Sequence, residues 1–239
     1  MDRFAHDFDS VYCLTIMASR SPINDNANKG SLRMLNDVRA MRSAAGVNRP
    51  FLFRVIDTKN LFAGSGVAPL ALRDMLDRGM DPKDIRSELF KIIDNTYTYL
   101  VPDDLMYARA RSHARGDRSI SLVASTLGSA LSIKPVLQVL RGDSRAVGKF
   151  RGQDEAWSRL FALTRKQVQR GLLTPHVVVS YAGPLNRVRD NEEFQSLEYL
   201  CQSENVSLDL VQMSITGMMN IGPGALSLGF AAQDHASDL

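Results

Sequence analysis

Val11-Tyr12-Cys13-Leu14-Thr15-Ile16, running into Ser19-Arg20-Ser21-Pro22, is the stretch that decides the fold. The first part is almost continuously apolar, the composition of an interior strand covered on both faces. The second part turns a strand into a helix. Ser21 suits an N-cap, Pro22 the first helical position, and Gly46 the far end of the helix. A second apolar run, Phe51-Leu52-Phe53-Arg54-Val55-Ile56, stops at Asp57. Strand, helix, strand is the pattern of a parallel pair joined by a crossover.

Outward from this unit, helices are expected over Val67 to Arg78 and Pro82 to Asn95, with Asp81-Pro82 repeating the cap-plus-proline start. Upstream, the first ten residues read as the end of a helix. Downstream the pattern changes. Tyr97 to Val101 reads as a strand, Asp103 to Ala114 as a helix with a basic face, and Leu122 to Leu131 as a buried helix. Pro135 to Leu140 and Arg145 to Phe150 flank the turn residues Arg141-Gly142-Asp143-Ser144, which predicts a hairpin. Then follow a helix over Gln153 to Arg170, a strand over His176 to Tyr181, a helix over Asn191 to Ser203 and a strand over Ser207 to Met213. The last apolar run is Ala225 to Ala231. The expected fold class is therefore α/β in two domains. A parallel-sheet α/β domain covers residues 1–95, and an α+β domain with a mixed or antiparallel sheet covers 96–239.

Composition narrows the function. Hydrophobic residues make up 44% of the 239, enough for a real core, and no apolar run has the length of a membrane span. With no signal-peptide pattern at Met1, the expected location is the cytoplasm. A net charge of +3 does not by itself announce a nucleic-acid binder. Cys13 and Cys201 stand far apart without metal-ligand spacing, so no metal and no cofactor are expected. His6, His113, His176 and His235 sit in no catalytic motif. Gly64-Ser65-Gly66 lacks the lysine and third glycine of a phosphate loop. The residues point to a binder and not to an enzyme.

Three segments carry the binding signals. Ser19 and Ser21 lie where a parallel strand ends and a helix begins, a place whose free N–H groups and dipole favour an anion. The same serine could simply cap its own helix. Met218-Met219-Asn220-Ile221-Gly222-Pro223-Gly224 offers adaptable apolar side chains, one amide, and glycines that allow close backbone approach. Arg109, Arg111, Arg115 and Arg118 form a basic run, read either as a solvated helix face or as a docking surface for an acidic partner.

Together these segments resemble the DegV family of bacterial fatty-acid-binding proteins. The resemblance runs from the first strand to about Ala231. It is most specific at Gly116-Asp117-Arg118-Ser119-Ile120 and at Leu127-Gly128-Ser129-Ala130-Leu131-Ser132-Ile133-Lys134-Pro135. Val55-Ile56-Asp57-Thr58, Lys149-Phe150-Arg151-Gly152 and Gly222-Pro223-Gly224-Ala225-Leu226 add to it. Where the family has Leu-Ser-Gly-Thr-Tyr, this chain has Arg20-Ser21-Pro22-Ile23-Asn24, and Asn220 stands where a histidine is common. Family members carry about 80 further N-terminal residues, most of a small domain. Those include a Thr-Ser motif for the carboxylate, so this chain is expected to begin midway through the first domain.

The resemblance implies a carrier that holds a long-chain fatty acid and presents its carboxylate to a separate kinase subunit. It implies carboxylate contacts from Ser19, Ser21 and Asn220. Ile23, Asn24, Met218, Met219, Gly222 and Arg151 would stand near the acyl chain or headgroup. Arg109, Arg111, Arg115 and Arg118 would serve partner docking. No nucleic acid and no membrane insertion are expected. The alternative is an interaction module that has lost its lipid and uses the basic surface to bind a protein partner.

Overall fold

The computed structural model describes residues 7–114, 133–233, 235–237 and 239, apart from the side chain of Asn36. It divides into two compact units, Met1–Lys59 and Asn60–Leu239.

In the first unit, β1 (Ser10–Thr15) and β2 (Leu52–Asp57) pair in parallel, with Ser10 opposite Leu52 and Thr15 opposite Asp57. A 3-10 turn, Ala18–Arg20, leads into α1 (Ile23–Ala44), the crossover. The helix is capped one residue later than the sequence suggests. Pro22 occupies the N-cap, and Ser21 sits in extended backbone ahead of it. A preceding turn already sets the entry angle, so the proline moves outward by one place. The expectation that β1 is covered on both faces does not hold. Every β1 residue except Thr15 is only half-buried, and among the described residues β1 has β2 as its one strand neighbour.

The second unit is built on a six-stranded sheet in the order β5-β4-β3-β8-β6-β7. These strands are β3 (Thr96–Val101), β4 (Ile133–Leu140), β5 (Asp143–Arg151), β6 (His176–Tyr181), β7 (Ser207–Gln212) and β8 (Leu226–Ala231). Only β6 and β7 are parallel; β3–β4, β4–β5, β3–β8 and β6–β8 are antiparallel. The hairpin β4–β5 turns on Arg141 (φ 52°) and Gly142 (φ 88°), the doubly left-handed geometry of a tight two-residue turn.

Helix α2 (Gly64–Asp77) comes next in the chain, followed by α3.

 The range of α3 is Pro82–Asp94, and its N-cap Asp81 accepts the Lys83 N–H at 2.8 Å. The sequence places the boundary near Asn95, whereas the compact units divide after Lys59. The reason is packing: α2 lies against β8, β6 and β3 and so belongs with the second sheet. Gly64 and Gly229 permit this approach, since a Cβ on Gly229 would stand 2.5 Å from the Gly64 Cα. His176 at the start of β6 joins Asp74 of α2 at 2.6 Å.

On the other face, α5 (Gln153–Arg170) packs on β3, β4 and β5 and against α7 (Glu192–Ser203). Their apolar stripes meet around fully buried Trp157, Phe161, Phe194 and Phe230. Among the described residues, the remaining helices are α4 (Leu105–Ala114), the short α6 (Asn186–Arg189) and α8 (Ile215–Ile221). The expected helix over Leu122 to Leu131 lies outside the described residues. Neither α6 nor α8 was expected from sequence, because one turn or two of helix leaves little periodicity to read.

Candidate functional site

In the first unit, the ends of β1 and β2 hold the turn that carries Ser19 and Ser21. Asp57 accepts the Ala18 N–H at 3.2 Å and the Lys59 N–H at 2.8 Å. Thr58 donates both its N–H (3.0 Å) and its hydroxyl (2.8 Å) to the Thr15 carbonyl. Asn24 donates to the Thr15 hydroxyl at 2.9 Å and accepts from Asn28 at 3.0 Å, so its amide ties α1 to the strand. Ser19 is exposed and Ser21 half-buried. The Ser21 hydroxyl oxygen accepts the Ile23 N–H at 3.3 Å; its own hydrogen has no acceptor among the described residues. Ile23 is 52% exposed at the first turn of the helix. The result is a braced strand-to-helix turn with a serine donor at a helix N-terminus. The bracing residues Asp57 and Thr58 were legible only as a family-like strand end.

In the second unit, α4 and α8 pack together around Gly222-Pro223-Gly224. Two side chains of α4 converge on one carbonyl: the Tyr107 hydroxyl and Arg111 Nε each donate to Met219 O at 3.0 Å. Gly222 (φ 99°) and Gly224 (φ 75°) both adopt backbone that favours glycine. A Cβ on Gly222 would come within 3.0 Å of the Tyr107 ring, and one on Gly224 within 2.9 Å of Asp103. Lys134 donates to the carbonyl and carboxylate of Asp103, and Gln153 donates to Gly224 O. This fixes the loop.

The methionines divide. Met218 packs on the buried cluster of Ala108, Ala182, Met213, Ile221 and Ala225, the core-filling use. Met219 is 54% exposed, as are Met106 at 66% and Ile215 at 77% on the same helix pair. Asn220 is half-buried. Arg111 is turned into the helix pair, so it does not share the outward presentation of Arg109, which is exposed. Arg115 and Arg118 lie outside the described residues, as do Gly116 to Ser132 of the motif segment. Arg151 is exposed at the end of β5, and its N–H donates to Glu155 at 3.2 Å. Ser19, Ser21, Ile23 and Asn24 thus belong to the first unit, and Asn220, Met218, Met219, Gly222 and the described arginines to the second.

No group of three or more metal-ligating side chains occurs among the described residues. No described helix is long and apolar enough to cross a membrane.

Known proteins share this arrangement. A family model described as "Uncharacterised protein, DegV family" matches residues 1–233. A DegV domain-containing protein of Xanthomonas axonopodis pv. citri is 44% identical over 230 residues, covering 96% of this chain and 73% of the relative. One of Xanthomonas campestris pv. campestris is 43% identical over 236 residues, covering 99% and 75%. Among solved structures, a stearic-acid-binding protein from Eubacterium ventriosum gives a TM-score of 0.73 at 18% identity, covering 97% of this chain and 73% of that one. DegV, a fatty acid binding protein from Bacillus subtilis, gives 0.66 at 20% identity, covering 97% and 74%. At these identities the structures establish the fold; the sequence matches establish kinship. The chain is a member of the DegV family.

Proposed function

We propose that this protein is a carrier that binds a long-chain fatty acid and presents its carboxylate to a separate kinase subunit. The observation that carries the reading is the exposed apolar set Met106, Ile215 and Met219 on the α4–α8 pair, which the Tyr107 and Arg111 bonds to the Met219 carbonyl hold in place. Apolar walls with a few oriented polar groups are what an acyl chain with an anionic head requires. Solved relatives support it: one is described as binding stearic acid and another as loaded with heptadecanoic acid. Within the first unit, Ser21 and Ser19 are the proposed carboxylate donors, placed by the helix N-terminus. Within the second, Asn220 is the proposed polar contact and Met219 part of the acyl wall. Ile23, Asn24, Gly222 and Arg151 are assigned to the vicinity of the lipid.

Burying ten methylenes is worth roughly 8 kcal/mol at about 0.8 kcal/mol each, before ordering costs. That suffices for micromolar binding or tighter. The carrier contributes presentation and no chemistry of its own. Its proposed docking surface is basic, with Arg109 exposed and Arg115 and Arg118 as further candidates; no nucleic acid is proposed. Mass spectrometry of a denatured extract, joined to titration with stearic acid, tests the lipid reading. A lipid-free protein that ignores added fatty acid, yet binds a protein partner through Arg109, would favour the interaction module.

A further inference from the structure

In the second unit a cavity of about 660 Å³ opens between the C-terminal end of α2, α3 and the loop that leads from α5 into β6. That is the size of a small-molecule site. Its apolar side is formed by Met75 and Ile92, both buried, with half-buried Met80 and Leu173. None of its residues belongs to the proposed lipid contacts.

Its charged groups are unequal. Three carboxylates, on Asp74, Asp77 and Glu88, line it together with one guanidinium, on Arg78. Arg78 Nε donates to the Asp74 carbonyl at 3.0 Å, so that cation is turned back on the last turn of its own helix, where the dipole favours positive charge. Asp74 is engaged by His176 at 2.6 Å and by Arg73 at 3.3 Å. Asp77 has no ion pair among the described residues, and Glu88 has only a loose one, to Lys91 at 4.0 Å. Two carboxylates therefore remain to act on whatever enters, and the C-terminal end of α2 adds partial negative charge to theirs.

An independent observation comes from the loop. Thr174 lines the cavity and is only 5% exposed, yet its hydroxyl has no hydrogen-bond partner among the described residues. The backbone holds it in place, since its carbonyl accepts the His176 N–H at 2.8 Å across Pro175. A buried hydroxyl left open costs free energy, and a donor entering the cavity would satisfy it. The cavity thus offers two carboxylates and a hydroxyl oxygen to a group with several N–H donors, and aliphatic and thioether side chains to an apolar body. An anion would be repelled by the carboxylates, and a neutral alcohol would gain nothing from their charge.

We infer that this cavity is a second binding site, one for a primary ammonium ion that carries an apolar chain or ring. The three ammonium donors match Asp77, Glu88 and the Thr174 hydroxyl, and the apolar body lies on Met80 and Leu173. The experiment titrates the whole chain, its methionine methyls isotope-labelled, with hexylammonium, hexanol and hexanoate in turn. Hexylammonium is expected to shift the Met75 and Met80 methyl signals saturably and to bind about tenfold more tightly than either other probe. That preference is read on the parent chain and needs no variant to fold. An absence of saturation, shifts confined to other methionines, or equal binding of the three probes overturns the proposal. Asp77→Asn combined with Glu88→Gln, neither of them buried, should weaken hexylammonium about tenfold, to the level of hexanol. Thr174→Val should weaken it about tenfold as well, while Thr174→Ser, which keeps the hydroxyl, retains the parent affinity. Parent-like hexylammonium binding by the double variant or by Thr174→Val also overturns the site.

Discussion

The two sheets of this protein treat similar strand sequences differently. In the first unit, Val11-Tyr12-Cys13-Leu14 and Leu52-Phe53-Arg54-Val55 are half-buried along their length. In the second, β3, β6 and β8 are buried at every residue. Apolar composition alone does not bury a strand; neighbours on both edges and layers on both faces do. The second sheet has both for its central strands, with α2 on one face and α5 on the other. Among the described residues, the first pairs each strand with one other.

The largest test of that contrast is core truncation. Phe230→Ala, at a fully buried ring, should cost about 3–5 kcal/mol of unfolding free energy, and Leu14→Ala roughly half as much. Denaturant titration of both variants decides it, and equal losses would break the comparison.

Glycine substitution sharpens it next. Gly229→Ala drives a methyl to within 2.5 Å of the Gly64 backbone and should destabilise by about 1–3 kcal/mol. Gly30→Ala meets nothing within 4 Å in the middle of α1 and should stabilise by about 0.5–1 kcal/mol. Opposite signs in thermal unfolding are the expected outcome.

Ser21→Ala asks whether the exposed turn of the first unit serves a ligand. Fatty-acid affinity should fall about tenfold, as a bond to a charged group worth ~1.5 kcal/mol is lost. Stability should fall by less than about 1 kcal/mol, since Pro22 and not Ser21 holds the cap position. Unchanged affinity would reduce Ser21 to bracing the turn.

The smallest effect is at the helix-to-sheet tie of the second unit. Burial pushes the Asp74 carboxyl up, but the His176 hydrogen bond and charge, with Arg73, outweigh it and hold the group below its ordinary 3.8. A carboxyl lowered on folding stabilises above its unfolded value, and that contribution is lost as pH falls through the folded one. Asp74→Asn should therefore lose stability less steeply than the parent below about pH 4, read by acid unfolding. Parallel acid limbs would remove this tie from the account.

Much of the second unit was legible because its elements carry their own signals. Gln153 to Arg170 has a helical stripe closed by Gly171, and the Arg141-Gly142 turn announces its hairpin. Among the candidate site residues, Gly222 was legible as a close-approach glycine. Arg111 was not legible as an inward donor, because a helix face looks the same in sequence whether it meets solvent or a neighbouring carbonyl. Met218 and Met219 are adjacent and chemically identical, yet one fills core and the other is exposed.

By itself the sequence determined the alternation of strands and helices, the parallel crossover of the first unit and the family, since these rest on local pattern and on ordered motifs. Only the tertiary structure decided that α2 and α3 belong with the second sheet, that β1 is half-covered, and that His176 meets Asp74. Those outcomes depend on which surfaces meet across long separations, and no local periodicity encodes a meeting between residues so far apart in the chain.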